Sequence, residues 1–167
     1  LEDEGSVAGM VGDLDFAFER RGGRNVLICD GEELTDELRA PEVSQSASVV
    51  ASQAAVREAL LDVQRQLGRA SDSVLEGRDI GTVVFPDAEY KFFVTADVQE
   101  RARRRAEELE QAGVQVDMVA LQREIAKRDA SDQNREVGPL RVAEDAKVVD
   151  TTELSVDEVI ETLAGWI

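Results

Sequence analysis

A chain of 167 residues carrying 36 Asp and Glu against 19 Lys and Arg, for a formal net charge of −17, is long enough for a packed core and has a surface that repels nucleic-acid backbones and anionic membranes. One cysteine, Cys29, and the absence of histidine exclude a disulfide framework, a zinc site of Cys and His, and any His-based triad. Of the 19 cations 16 are Arg, whose planar fork suits carboxylates and phosphates, so small anionic ligands in a locally positive cleft stay open.

In chain order, Leu1–Gly5 reads as the tail of an element already under way, and the sequence is therefore expected to begin inside a longer protein. Leu14, Phe16 and Phe18 alternate with Asp15, Ala17 and Glu19, the pattern of a half-buried strand. Gly22 and Gly23 turn the chain within Arg20–Asn25, and Asn25–Cys29 returns, which predicts an antiparallel hairpin over Leu14–Cys29. A third short strand fits within Glu32–Ala40. Pro41 is placed to open a helix to Val50. The helix after it, over Gln53–Leu67, has an apolar stripe of Val56, Ala59, Leu60, Val63 and Leu67.

Two β-prone runs, Ser73–Leu75 and Lys91–Val94, bracket a loop holding Gly77, Arg78, Asp79, Gly81 and Pro86. Ligands of open α/β sheets bind outside the carboxyl ends of strands, which makes Arg78 and Asp79 the first candidates for ligand contact. A salt bridge between these two neighbours accounts for them equally well. Asp97 and Glu100 then have the spacing of a capping box, opening a helix with Arg101, Arg104, Arg105 and Glu108 along one side and Gly113 at its end. Asp117 caps a helix reaching Asn134, with Met118, Leu121 and Ile125 as its buried stripe.

On that helix Arg128, Asp132 and Arg135 stand at i, i+4 and i+7, which aims two guanidinium groups and a carboxylate into one volume. Intrahelical ion bridges are the plainer reading of the same spacing. Gly138 and Pro139 stop the helix, Ala146–Val149 reads as a buried strand ending in Asp150, and a capping box from Ser155 to Glu158 starts a last helix with Val156, Val159, Ile160 and Leu163 inward. Strands alternating with helices at this spacing predict an α/β fold whose parallel sheet is covered on both faces.

Four stretches together resemble one family. LEGRDIGTVVFPDAEYKFFVTA (Leu75–Ala96), ERARRR (Glu100–Arg105), AKRDASDQNREVGPL (Ala126–Leu140) and VVDTTELS (Val148–Ser155) are similar to bacterial cytidylate kinases. The resemblance implies a P-loop nucleoside-monophosphate-kinase-like fold: a three-layer α/β/α core with a parallel sheet, a small antiparallel NMP-binding insert and a helical lid. On that scheme residues 1–13 are a core helix remnant and connection, 14–40 the insert, 41–100 core with the acceptor-binding helices and loop, 101–116 the lid, and 117–167 core. It further implies that Ser48, Arg57 and Asp79 hold cytosine, that Arg78 and Arg135 grip the monophosphate, and that Arg128 and Asp132 address the ribose hydroxyls. Arg104, with Arg101 and Arg105, would close over the ATP phosphates. Arg78, Arg104 and Arg135 are the implied catalytic residues.

The implied reaction moves the γ-phosphoryl group of ATP, with Mg²⁺ as its cofactor, to CMP or dCMP in a cytoplasmic monomer without nucleic-acid or membrane partners. The sequence departs from the family in one respect. It contains no G-x-x-x-x-G-K-[ST] phosphate loop. The expectation is an amino-terminally truncated cytidylate kinase, inactive as the 167-residue chain alone; the alternative is a non-catalytic nucleotide-binding or interaction module.

Overall fold

The computed structural model describes residues 3–34, 38, 41–51 and 53–167, and within the helix that begins at Pro41 the side chains of residues 41, 42, 44, 45 and 48 are not described. The chain divides between Glu76 and Gly77 into two units.

In the first unit Asp3 caps helix α1 (Glu4–Asp13), its side chain accepting from the Ser6 amide. Of the stretch expected to be the tail of an element, Asp3 to Gly5 thus open a helix, and Leu1 and Glu2 lie outside the described residues. The hairpin consists of β1 (Phe16–Arg21) and β2 (Arg24–Cys29), paired from Phe16↔Cys29 to Arg21↔Arg24. Its turn is only Gly22 and Gly23, both at positive φ, the combination whose twist matches that of paired strands. Asp30 and Gly31, also at positive φ, return the chain into a short β3 (Glu32–Glu33) against β2. On β1 and the residues leading into it, Leu14 and Phe16 are half-buried and Asp15, Ala17 and Glu19 exposed, as the alternation predicts, but the most buried residues of the ribbon lie on β2 and on the other face. Val26 and Ile28 are buried, opposite Glu19 and Ala17, whereas Phe18 is 61% exposed. Alternation defines two faces, and which one is covered depends on what packs there.

Helices α2 (Pro41–Val50) and α3 (Ala54–Arg69) follow the predicted spans to within two residues. Val56 of α3 is 1% exposed, and α3 packs along α1. The Glu4 carboxylate of α1 accepts from the Ala55 amide at 2.6 Å, satisfying a first-turn donor of α3 from outside the helix. No ladder among the described residues includes Ser73–Leu75, and Val74 is fully exposed. The predicted strand is therefore absent: β-propensity over three residues is not enough without a partner edge.

In the second unit β4 (Phe92–Thr95) and β5 (Lys147–Asp150) pair in parallel, with Phe93↔Val148 and Val94↔Val149 in register. Helices α4 (Val98–Gln111), α5 (Met118–Asn134) and α6 (Val156–Ala164) complete it. Asp117 caps α5 through the Val119 and Ala120 amides, and the Ser155–Glu158 capping box of α6 is formed on both sides. Ala102 and Ala106 of α4 are buried, and α4 packs on α5. The Asp97–Glu100 box is not formed. The Asp97 amide donates instead to Thr152 Oγ1 at 3.0 Å, while Glu100 is taken by two arginines of α4.

The sheet is not covered on both faces. Val94 and Val148, which the register puts on opposite faces, are 51% and 57% exposed. Met118 on α5 and Val156 and Ile160 on α6 are likewise exposed rather than buried. Beyond α6 the chain is tied down: Trp166 stacks on Phe92 at 5.9 Å, Lys147 lies over the indole, and Tyr90 donates to the Ile167 carbonyl. Among the described residues no helix is long and apolar enough to cross a membrane.

Candidate active site

Arg78 and Asp79 do not sit at the end of a strand. They open a wide turn, Ile80–Val84, of π-helical form, a rare backbone found mostly at functional positions. The Asp79 carbonyl gathers the amides of Thr82, Val83 and Val84, the shortest at 2.8 Å, and Phe85 closes the turn on Ile80 at 2.7 Å. Val84, 1% exposed, anchors the turn in the core. Asp79 itself is 9% exposed, a carboxylate held close to the apolar interior. Gly77 lies so close to Ile80 that an added Cβ would meet its side chain at 2.8 Å.

Lys91 braces this loop. Its side chain is 6% exposed, its stem lies beside Gly81, and its ammonium donates to the Pro86 carbonyl and, at 2.7 Å, to Asp145. Lys91→Met should keep the packing and lose both bonds, costing about 1 kcal/mol because Asp145 is largely in water. Faster amide exchange confined to Ile80–Val84 is the expected signature, and unchanged exchange would show that the brace has no role.

Arg78 pairs with a carboxylate far along the chain. Its Nε meets Asp132 Oδ2 at 3.0 Å, and Asp132 Oδ1 accepts from Arg135 Nη2. Arg135 follows the last turn of α5 with extended backbone at φ −67° and ψ 148°, so its guanidinium turns back toward Asp132. The Leu140 amide donates to the Asp132 carbonyl at 2.8 Å, folding the Gly138–Pro139 segment onto the helix end. Two arginines from separate elements thus converge on one carboxylate. Arg128 is exposed and, among the described residues, makes no ion pair with that group.

The arginines of α4 are committed inside the unit. Arg101 forks Asp129 of α5 at 2.6 and 3.0 Å and also donates to the Ala96 carbonyl. Arg104 bonds Glu100 at 2.7 Å and donates to the hydroxyl and carbonyl of Thr151, a residue 3% exposed whose own hydroxyl donates to Thr95. Arg105 pairs with Glu108 on the surface. Asp129 and Thr151 were not legible as partners, because each pairing needs α4 docked on α5 or on the sheet end, whereas Glu100 is an i, i+4 neighbour of Arg104 on α4 itself.

Hydrogen bonds from Arg103 and then Arg104 hold the Glu100 carboxyl down at about 2 from its usual 4.5. The folded state thus takes up this proton later than the unfolded chain. The stabilisation is complete above pH 4.5 and disappears as pH falls through 2. Urea midpoints should drop across that window, and Glu100→Gln should flatten the drop; an identical profile in the variant would remove Glu100 from acid unfolding.

Ser48 lies in α2, with its side chain outside the described residues, and Arg57 lies in α3, where it donates to the Ala51 carbonyl at 3.4 Å. Both belong to the first unit, and the other candidate residues belong to the second.

A mixed α/β arrangement with a parallel strand pair and an antiparallel hairpin fits a nucleoside-monophosphate-kinase-like fold. The family model described as Cytidylate kinase matches residues 1–167. The chain is 43% identical over 162 residues to the cytidylate kinase of Syntrophotalea carbinolica, covering 97% of this chain and 69% of that protein. It is 46% identical over 164 residues to that of Saccharophagus degradans (98% and 73%) and 41% identical over 166 residues to that of Halalkalibacterium halodurans (99% and 75%). The chain belongs to the cytidylate kinase family.

Proposed function

We propose that this chain supplies the acceptor side of an enzyme that transfers the γ-phosphoryl group of ATP to CMP or dCMP. The observation that carries the proposal is the convergence of Arg78 and Arg135 on one carboxylate beside the buried Asp79. In the reaction the bond between Pγ and the β–γ bridging oxygen breaks, and a bond to an oxygen of the acceptor phosphate forms in line. Such transfer needs positioning and charge neutralisation more than covalent chemistry, which a site with many arginines and no histidine can provide.

Arg78 and Arg135 are assigned to the acceptor phosphate, Asp79 with Ser48 and Arg57 to cytosine, and Arg128 and Asp132 to the ribose end. A buried carboxylate suits the exocyclic amine of cytosine. Arg101, Arg104 and Arg105 are assigned to the ATP phosphates, with residues 14–40 as the monophosphate insert and 101–116 as the lid of a three-layer P-loop core. In that role Arg101 and Arg104 exchange Asp129 and Glu100 for phosphate oxygens as the lid closes, which also excludes water. Magnesium accompanies ATP as its counter-ion. Among the described residues no group of three or more His, Cys, Asp or Glu is placed to hold a metal.

A cytoplasmic monomer acting on small nucleotides, not on nucleic acid or a membrane, completes the reading. ADP formation from ATP with CMP, dCMP, UMP or AMP tests it on the full-length gene product, with CMP and dCMP expected to lead; no CMP-dependent ADP formation overturns it. The sequence has no G-x-x-x-x-G-K-[ST], so the 167-residue chain alone is expected to bind CMP without turnover. Robust turnover by that chain would refute this part.

A further inference from the structure

Helix α3 starts without the two features that ordinarily secure a helix start. Its N-cap residue, Gln53, makes no side-chain cap bond, and its first turn contains no acidic residue. It leads instead into a cation, Arg57, whose amide donates to the Gln53 carbonyl at 3.1 Å as the helix begins. A guanidinium beside the positive end of a helix dipole is disfavoured, and an anion at that end offsets the penalty. The anion comes from α1. Glu4 Oε1 accepts from the Ala55 amide at 2.6 Å, in a part-buried place and across 51 positions of sequence. A charged acceptor makes a stronger bond there than the neutral side chain of an ordinary cap. The start of α1 is served separately by Asp3, which accepts from the amide and the hydroxyl of Ser6. Val56, the residue after Ala55, is 1% exposed, so a carboxylate and the core hold the two positions just ahead of Arg57. The corner fixed in this way carries both residues of the first unit that are assigned to cytosine. Arg57 donates across it to the Ala51 carbonyl at 3.4 Å, and Ser48 lies in the last turn of α2.

We propose that Glu4 is a positioning residue for base recognition: from α1 it completes the start of α3 and so fixes where Arg57 stands when the acceptor nucleotide binds. This rests on the reading of Arg57 as a cytosine ligand. A side chain whose backbone is held before binding spares the ligand the cost of ordering it, and a group that reads a base edge loses its effect when its support is loose.

The test is a double-mutant cycle on the full-length gene product, with CMP titrated by calorimetry into the parent, Glu4→Ala, Arg57→Ala and the double variant. A residue that acts through another couples to it, whereas a general loss of stability adds independently. Positioning predicts that Glu4→Ala weakens CMP about fivefold in the parent and less than about twofold once Arg57 is already Ala. An equal loss in both backgrounds, or no loss in the parent, overturns the proposal while leaving the cytosine reading of Arg57 standing. An Arg57→Ala variant that binds CMP as the parent does would overturn that reading and this proposal with it. If Glu4→Ala does not fold, Glu4→Gln is used, which keeps the shape and an acceptor oxygen but removes the charge; a smaller loss that vanishes in the Arg57→Ala background supports positioning, and a loss that persists there, or none at all, rejects it.

Discussion

Arg135→Ala is expected to weaken CMP binding by about 10- to 100-fold, with the loss equal for UMP and AMP where those bind. Hydrogen bonds to a charged group contribute about 1.5–3 kcal/mol each, and 1.4 kcal/mol is a factor of ten in affinity. The guanidinium is 14% exposed, so little water competes for it, and its bonds fall toward the upper part of that range. Arg135→Lys separates charge from geometry: it restores a cation without the planar fork and should recover only part of the loss. The backbone at this position is extended and outside the α5 hydrogen-bond ladder, so neither variant is expected to disturb the helix. Calorimetry against the three monophosphates measures the effect. Wild-type affinity in Arg135→Ala, or a loss confined to CMP, would remove Arg135 from the phosphate grip.

The parts of this fold that sequence punctuates locally were readable. Asp117, the Ser155–Glu158 pair, Gly113 and the Gly22–Gly23 turn each act through backbone groups a few residues away, and each stands where its chemistry predicts. Features that depend on a distant partner were not. Glu100 has the right spacing to close a capping box on Asp97, yet the same spacing along a helix serves Arg103 and Arg104, and two guanidinium groups outcompete one amide. Val74 has strand propensity, but among the described residues no strand pairs with it.

The site shows the same division. Helical periodicity brought Asp132 and Arg135 together, but it could not foresee that Arg135 leaves the helix and reaches back, nor that Arg78 arrives from a loop far upstream. Arg101 and Arg104 looked like a solvated stripe on periodicity and like phosphate ligands on resemblance. The structure gives them Asp129 and Thr151, partners that exist only once α4 is packed.

Asp79→Asn should reduce the preference for CMP over UMP by about 5- to 150-fold, the range spanned by 1–3 kcal/mol for a base-edge contact. A carboxylate can only accept, which matches the exocyclic amine of cytosine and opposes the carbonyl that uracil has at the same position. The amide of Asn can turn its NH₂ toward that carbonyl, so UMP should gain while CMP loses. The wide turn is expected to survive the change, because the backbone carbonyl of Asp79 is what gathers the amides of Thr82, Val83 and Val84. Burial strengthens the case: Asp79 is 9% exposed, and a site that receives an N–H rejects a ligand that lacks it more strongly than an apolar pocket would. Competition between CMP and UMP for the parent and the variant reads the ratio directly. An unchanged ratio would place the cytosine amine elsewhere, and a parallel loss for both bases would make Asp79 a support of the loop and not a reader of the base.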